Sequence, residues 1–178
     1  ILVGFSMGAM LAQIYAMASH NRLCGLVLMN AVYNRTPTEI ERVKERFRRN
    51  QQLGVESAKE SALRRWFRDE DWRDHQETIE TISGWIQEGN FAAKRKAQRV
   101  FITTQPELVG NLATITCPTL VMTGERDGGS TPRMAASIAD IISGAKLSIL
   151  PDQHHMMSLI APQQVNRILG EFIENLVS

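Results

Sequence analysis

Four short apolar runs mark the chain, Ile1 to Val3, Gly25 to Met29, Thr119 to Thr123 and Lys146 to Leu150. Runs of this length and composition predict strands of a buried parallel sheet. Helical periodicity lies between and after them. From Met7 to His20, the residues Met7, Met10, Leu11, Ile14 and Met17 share a face. A second helix is expected over Pro132 to Ile142, with Thr131 as N-cap, Pro132 at the first helical position and Ser143-Gly144 as its end. A third spans Pro162 to Val177, with Val165, Ile168, Leu169, Phe172, Ile173 and Leu176 on one stripe. Strand and helix alternate in order, which predicts an α/β fold: a wound parallel sheet with flanking helices.

The stretch from Asn34 to Gly110 breaks that alternation. It holds no strand pattern, is rich in Arg and Glu, and carries all three tryptophans, Trp66, Trp72 and Trp85. Helices are expected over Pro37 to Leu53, Glu56 to Phe67, His75 to Gln87 and Phe91 to Thr103, with Gly54 and Gly89 as breaks. Placed between the second and third strands, the segment predicts a helical cap over the carboxyl ends of the sheet, where open α/β sheets bind ligands. The expected organisation is residues 1–33 as the start of the core, 34–110 as the cap insertion and 111–178 as the remainder of the core.

Composition narrows the class. Hydrophobic residues make up 43% of the chain, charged residues 22%, and the formal net charge is +1, so nothing calls for nucleic acid. Basic residues gather at Arg46-Phe47-Arg48-Arg49, Arg64-Arg65 and Lys94-Arg95-Lys96, but Glu41, Glu45, Asp69, Glu70 and Asp71 are interspersed, which reads as a solvated helical face. Cys24 and Cys117 form neither a disulfide framework nor a metal spacing, and are expected to be reduced, largely buried thiols ahead of strands. No apolar run reaches the ~18 residues of a membrane span. The cytoplasm is the default compartment.

The first strand runs into Gly4-Phe5-Ser6-Met7-Gly8, a G-x-S-x-G pentapeptide that opens a helix. Such a strand-to-helix turn lifts a serine hydroxyl clear of the backbone, and Gly4 and Gly8 are expected where a Cβ would crowd the turn. Chance alone supplies this pentapeptide in roughly one chain in twenty of this length, at ~7% each for Gly and Ser, so its partners carry the argument. A serine hydroxyl needs a base to take its proton and an acid to orient that base. Asp127 follows the third strand in Gly124-Glu125-Arg126-Asp127, and His154 and His155 follow the fourth in Pro151-Asp152-Gln153-His154-His155. Asp152 is an alternative acid, and Glu125 sits too near its strand end. Of the other histidines, His20 ends the first helix, where a cation meets the negative dipole end, and His75 is expected to be exposed.

Serine, aspartate and histidine in this order, each just past a parallel strand, resemble the α/β-hydrolase superfamily. The likeness rests on Leu2 to Gly8, on Cys117 to Asp127, and on His155 followed by Pro162 and Val165. It covers the whole chain, and its usual histidine-to-proline interval selects His155 over His154. Arg65-Trp66-Phe67 and the C-terminal half are similar to the 3-oxoadipate enol-lactonase group. There are departures: His154 stands where a glycine usually precedes the histidine, Ile160 replaces a common acidic residue, and the turn from Asp127 to Pro132 is one residue longer.

The resemblance implies a serine hydrolase of esters or lactones, with Ser6, His155 and Asp127 as nucleophile, base and acid, and the Met7 N–H as an oxyanion donor. If the lactonase likeness holds, Arg65 beside Trp66 receives a substrate carboxylate; the plainer alternative leaves Arg65 solvated and Trp66 in the cap core. A carbon–carbon bond hydrolase of ring-cleavage products and a non-catalytic ligand-binding relative are the other readings. No metal or cofactor is called for, the expected partner is a small-molecule substrate, and a homo-oligomer is compatible. The family's fold also places strands ahead of the elbow, so the chain is expected to be the C-terminal two-thirds of a hydrolase. The same expectation has the second oxyanion donor lying outside it, the isolated chain poorly active, and the first strand an apolar, aggregation-prone edge.

Overall fold

The structure, a computed structural model, describes residues 1–104 and 111–177, without the side chains of His20 and Val177. Residues 105–110, the end of the expected cap, lie outside this description. Four strands, β1 (Leu2–Phe5), β2 (Leu26–Met29), β3 (Thr119–Gly124) and β4 (Lys146–Leu150), form one sheet in the order β1-β2-β3-β4. All pairings are parallel, with Phe5 opposite Met29, Met29 opposite Met122 and Gly124 opposite Leu150. Because side chains alternate along a strand, Leu26 and Leu28 enter one core layer and Val27 and Met29 the other. Helices α1 (Met7–Ser19) and α6 (Pro132–Ile141) supply Ala9, Met10, Met134 and Ile138 to the first layer; α8 (Pro162–Val177) supplies Val165 and Phe172 to the second. α7 (Met157–Ile160) is a single turn before α8.

The strand and helix expectations hold to within two residues, and two details change. The buried face of α1 is Ala9, Met10, Ala12, Gln13 and Ala16, while Leu11 is 53% exposed and Met7 also faces outward. Small residues win because α1 lies almost on the backbone of β1: a Cβ on Gly4 would come within 2.7 Å of the Ala9 Cα. Cys117 is buried as expected, but Cys24 is exposed, since it sits in the bend leading to Gly25 and not in the strand itself. β1 forms one edge of the described sheet, and Ile1 and Val3 are each about half exposed.

Between β2 and β3 the chain forms helices only, among the described residues. These are α2 (Pro37–Trp66), α3 (Asp71–Asp74), α4 (Gln76–Gln87) and α5 (Phe91–Thr103). Thr36 and Glu39 start α2 with a capping box, each side chain bonded to the other's backbone N–H. The helix breaks at Gly54, whose φ of 85° suits glycine, and continues as a second arm. Leu63 and Phe67 from that arm pack with Ile79 and Ile82 of α4 and with Met156 beside the histidine loop. Full burial of each such side chain contributes about 2 kcal/mol. The Met156 N–H also donates to the Trp66 carbonyl at 3.2 Å, so the helical segment is tied to the sheet's carboxyl end by backbone as well as packing.

Candidate active site

Ser6 sits at the turn from β1 to α1 with φ of 53°, a left-handed conformation that costs a non-glycine residue about 1–3 kcal/mol. Its backbone is held on both sides: the Ser6 N–H donates to the Met29 carbonyl at 2.9 Å, and its carbonyl accepts from the N–H groups of Ala9 and Met10. Gly4 makes the turn possible, since a Cβ there would meet the Gly8 carbonyl oxygen at 2.6 Å. Gly8, expected to be needed for the same reason, is not: a Cβ there meets nothing within 4 Å, because it points away from the strand.

Asp127 and His155 are carried by neighbouring loops past β3 and β4. Those loops touch through Gly124, where a Cβ would lie 2.2 Å from the Gln153 carbonyl oxygen, and through the Arg126 N–H donating to that same oxygen at 2.9 Å. His155 Nε2 is 2.9 Å from Ser6 Oγ, and its Nδ1 is 2.7 Å from Asp127 Oδ2. His155 and Asp127 are 6% and 3% exposed. Asp127 Oδ1 accepts the N–H groups of Gly129 and Ser130, at 2.8 and 3.0 Å. Burial pushes the Asp127 carboxyl up, but the bond and charge of His155, the Ser130 N–H and the Asn30 amide outweigh it and hold it below the ordinary carboxylate range.

Asn30 is the residue that sequence reasoning misses. Fully buried at the end of β2 with φ of 51°, it donates from Nδ2 to Asp127 Oδ2 at 2.8 Å. Its own Oδ1 is buried with no partner among the described residues. Turning the amide over would set that oxygen against the carboxylate, so Asp127 dictates its orientation. The only sequence signal was its place: the first residue after a strand, at the same level as Ser6, with an αL-tolerant side chain.

The remaining candidates separate clearly. Asp152 faces outward and pairs with Arg126 at 2.6 Å, while the Glu125 carboxylate accepts the Asp152 N–H. His154 Nδ1 is buried without a partner among the described residues and does not reach Ser6. His75 is half-buried between α3 and α4, not exposed, because the chain turns there. Trp66 stacks over His155, ring centroids 5.9 Å apart at 22°, and Phe5 lies 5.1 Å from it on a tilted plane. Arg65 is half-buried and donates to the Ser61 carbonyl at 2.8 Å. Burial, then the neighbouring Arg46 charge, lowers its guanidinium to about 10, against the opposing pull of Asp127. Met7 opens α1, so its N–H belongs to the first turn, which has no carbonyl partner within the helix. Among the described residues, no group of three or more His, Cys, Asp or Glu is placed to hold a metal ion, and no helix is long and apolar enough to cross a membrane.

A parallel sheet with a serine turn and two loops converging at its carboxyl end defines a class, and residues 1–168 match the alpha/beta hydrolase family. The chain belongs to that family. It is 27% identical to an (E)-2-((N-methylformamido)methylene)succinate hydrolase from Acinetobacter baylyi, across 97% of this chain and 64% of the relative. Its fold matches a thermophilic esterase from Thermogutta terrifontis at a TM-score of 0.83 and 25% identity, covering 99% of this chain and 65% of the esterase. An enol-lactonase from Burkholderia xenovorans LB400 superposes at a TM-score of 0.83 with 20% identity, over 97% of this chain and 64% of the lactonase, a likeness of fold alone. The chain thus spans a little under two thirds of the length of these relatives.

Proposed function

We propose that this chain carries the nucleophile, base and acid of a serine hydrolase that cleaves an ester or lactone of a small, carboxylate-bearing molecule. The observation that carries the reading is the continuous line from Ser6 Oγ through the His155 ring to Asp127, at 2.9 and 2.7 Å. Ser6 Oγ attacks the carbonyl carbon as His155 Nε2 takes its proton, and the oxyanion forms against the Met7 N–H at the positive end of α1. His155 returns that proton to the departing alkoxide, leaving an acyl-Ser6 ester. Water, deprotonated by His155, attacks the ester and frees the acid and Ser6. Asp127 holds the imidazole in the tautomer with Nδ1 protonated and faces the imidazolium with a fixed negative charge.

The carboxylate on the substrate is suggested by Arg65, half-buried without an ion-pair partner among the described residues, and by a relative whose name specifies a succinate derivative. Trp66 walls the site above His155. The test is labelling of the protein with a fluorophosphonate beside Ser6→Ala and His155→Ala, with 4-nitrophenyl butyrate turnover in parallel. Labelling lost in both variants, with turnover down about 10⁴-fold or more, is expected; labelling indifferent to either substitution overturns the assignment.

A further inference from the structure

The two arms of α2 do not run on in line past Gly54; they face each other across a cleft of about 490 Å³. Arg42, Glu45, Arg46 and Arg49 project into it from the first arm, at spacings of a single helix face. Arg64 and Arg65 project from the second. Arg64 is already paired with Glu60 at 3.2 Å. Among the described residues, Arg42, Arg46, Arg49 and Arg65 have no ion-pair partner, leaving Glu45 as the single acid in the lining. The expectation of a solvated basic face holds for the exposed Arg48, Arg49, Arg64 and Arg95, but not for half-buried Arg46 and Arg65, because the break at Gly54 folds one basic face toward the other.

Four unpaired guanidinium groups in one concavity repel one another, and their planar forks match carboxylate and phosphate oxygens two at a time. Burial first, and then the charge of Arg46, lowers Arg65 to about 10, and Arg46 is lowered by burial and then by Arg49. An arriving anion relieves this repulsion. The second arm of α2 links the cleft to the candidate site, since Arg65 lines the cleft and the next residue, Trp66, stacks on His155.

We propose that this cleft is the second half of the substrate site, taking a dianionic group, either a pair of carboxylates or a phosphate monoester, between Arg46 and Arg65 while the scissile carbonyl lies at Ser6. The inference rests on the hydrolase reading for the position of the carbonyl, but anion binding is measurable without it. Calorimetric titration of the Ser6→Ala protein with acetate, succinate and phenyl phosphate is the direct test. Succinate or phenyl phosphate should bind at least tenfold more tightly than acetate, and the tighter of the two identifies the kind of dianion. Arg46→Met should remove that margin and Arg46→Lys should restore part of it, whereas Arg167→Met, which removes a distant positive charge, should leave it. Equal binding of the three anions, or a margin that survives both Arg46→Met and Arg65→Met, overturns the proposal. In turnover, Arg46→Met should lower kcat/KM for the mono-4-nitrophenyl ester of tricarballylate, which keeps two free carboxylates, at least tenfold more than for 4-nitrophenyl butyrate; equal losses count against the cleft. Fluorophosphonate labelling that survives Ser6→Ala refutes the hydrolase reading instead, and the titration still decides the cleft.

Discussion

The loops past β1, β2, β3 and β4 and the arms of α2 treat polar groups in opposite ways. At the sheet's end, the Asp127 carboxylate accepts four hydrogen bonds, from His155, Asn30, Gly129 and Ser130. In the cleft, Arg42, Arg46, Arg49 and Arg65 have no carboxylate partner among the described residues. A saturated group is held still by its partners, whereas an unsaturated one is left for something that arrives. Saturation at the strand ends suits groups that must keep one geometry through a reaction. Unpaired charge in the helical segment suits recognition, whose requirements differ from one substrate to the next.

The strongest way to break this comparison is to spoil the saturated side while keeping its shape. Asp127→Asn should lower turnover about 10⁴-fold by favouring the wrong histidine tautomer. It should also lower stability at neutral pH. Because the native Asp127 carboxyl sits below its unfolded value near ~3.9, its contribution is present above that pH and is lost as pH falls through the native value. Denaturation of both proteins from pH 7 to pH 3 should therefore show the gap closing at the acid end; a constant gap would mean that Asp127 owes nothing to its partners.

A finer cut is at Asn30. Asn30→Asp sets a second carboxylate against Asp127 Oδ2, and two such groups do not both ionise readily. Turnover should fall about 10–100-fold, the worth of one hydrogen bond to a charged group, and the acid limb of the pH–rate profile should move upward. An unshifted profile would reduce Asn30 to packing. The smallest expected effect is on folding alone. Gly124→Ala forces the acid and histidine loops apart and should destabilise by about 1–3 kcal/mol, a Tm drop of about 2–4 °C per kcal/mol for a chain of this size. A Tm unchanged in Gly124→Ala would mean that the loop contact is slack.

Much of this architecture follows from local rules. Short apolar runs became strands, β2 and β3 buried on both faces and β1 and β4 with Val3, Leu147 and Ile149 exposed, and Thr131-Pro132 started α6 where the N-cap and the missing proline N–H said it should. Ser6, Asp127 and residues 154–155 could be nominated from sequence because each follows a strand end, and parallel strands present those ends together. The helical segment was legible as helices broken at Gly54 and Gly89, since glycine punctuation is a local property.

What the sequence could not decide is whatever depends on distance between elements. Hydrophobicity favoured Leu11 for the inner face of α1, but the closeness of helix to strand at Gly4 set Ala9 and Ala12 there, beside Met10 and Gln13. Nothing local marks Asn30 as the partner of a carboxylate 97 residues away. The arginines of α2 read as a solvated face because periodicity records which side of a helix a residue occupies and not what lies opposite it. The sequence by itself determined the elements, their order and the chemistry available at the strand ends. The tertiary structure decided which groups meet, because register, helix approach and the fold-back at Gly54 are set by packing across the whole chain.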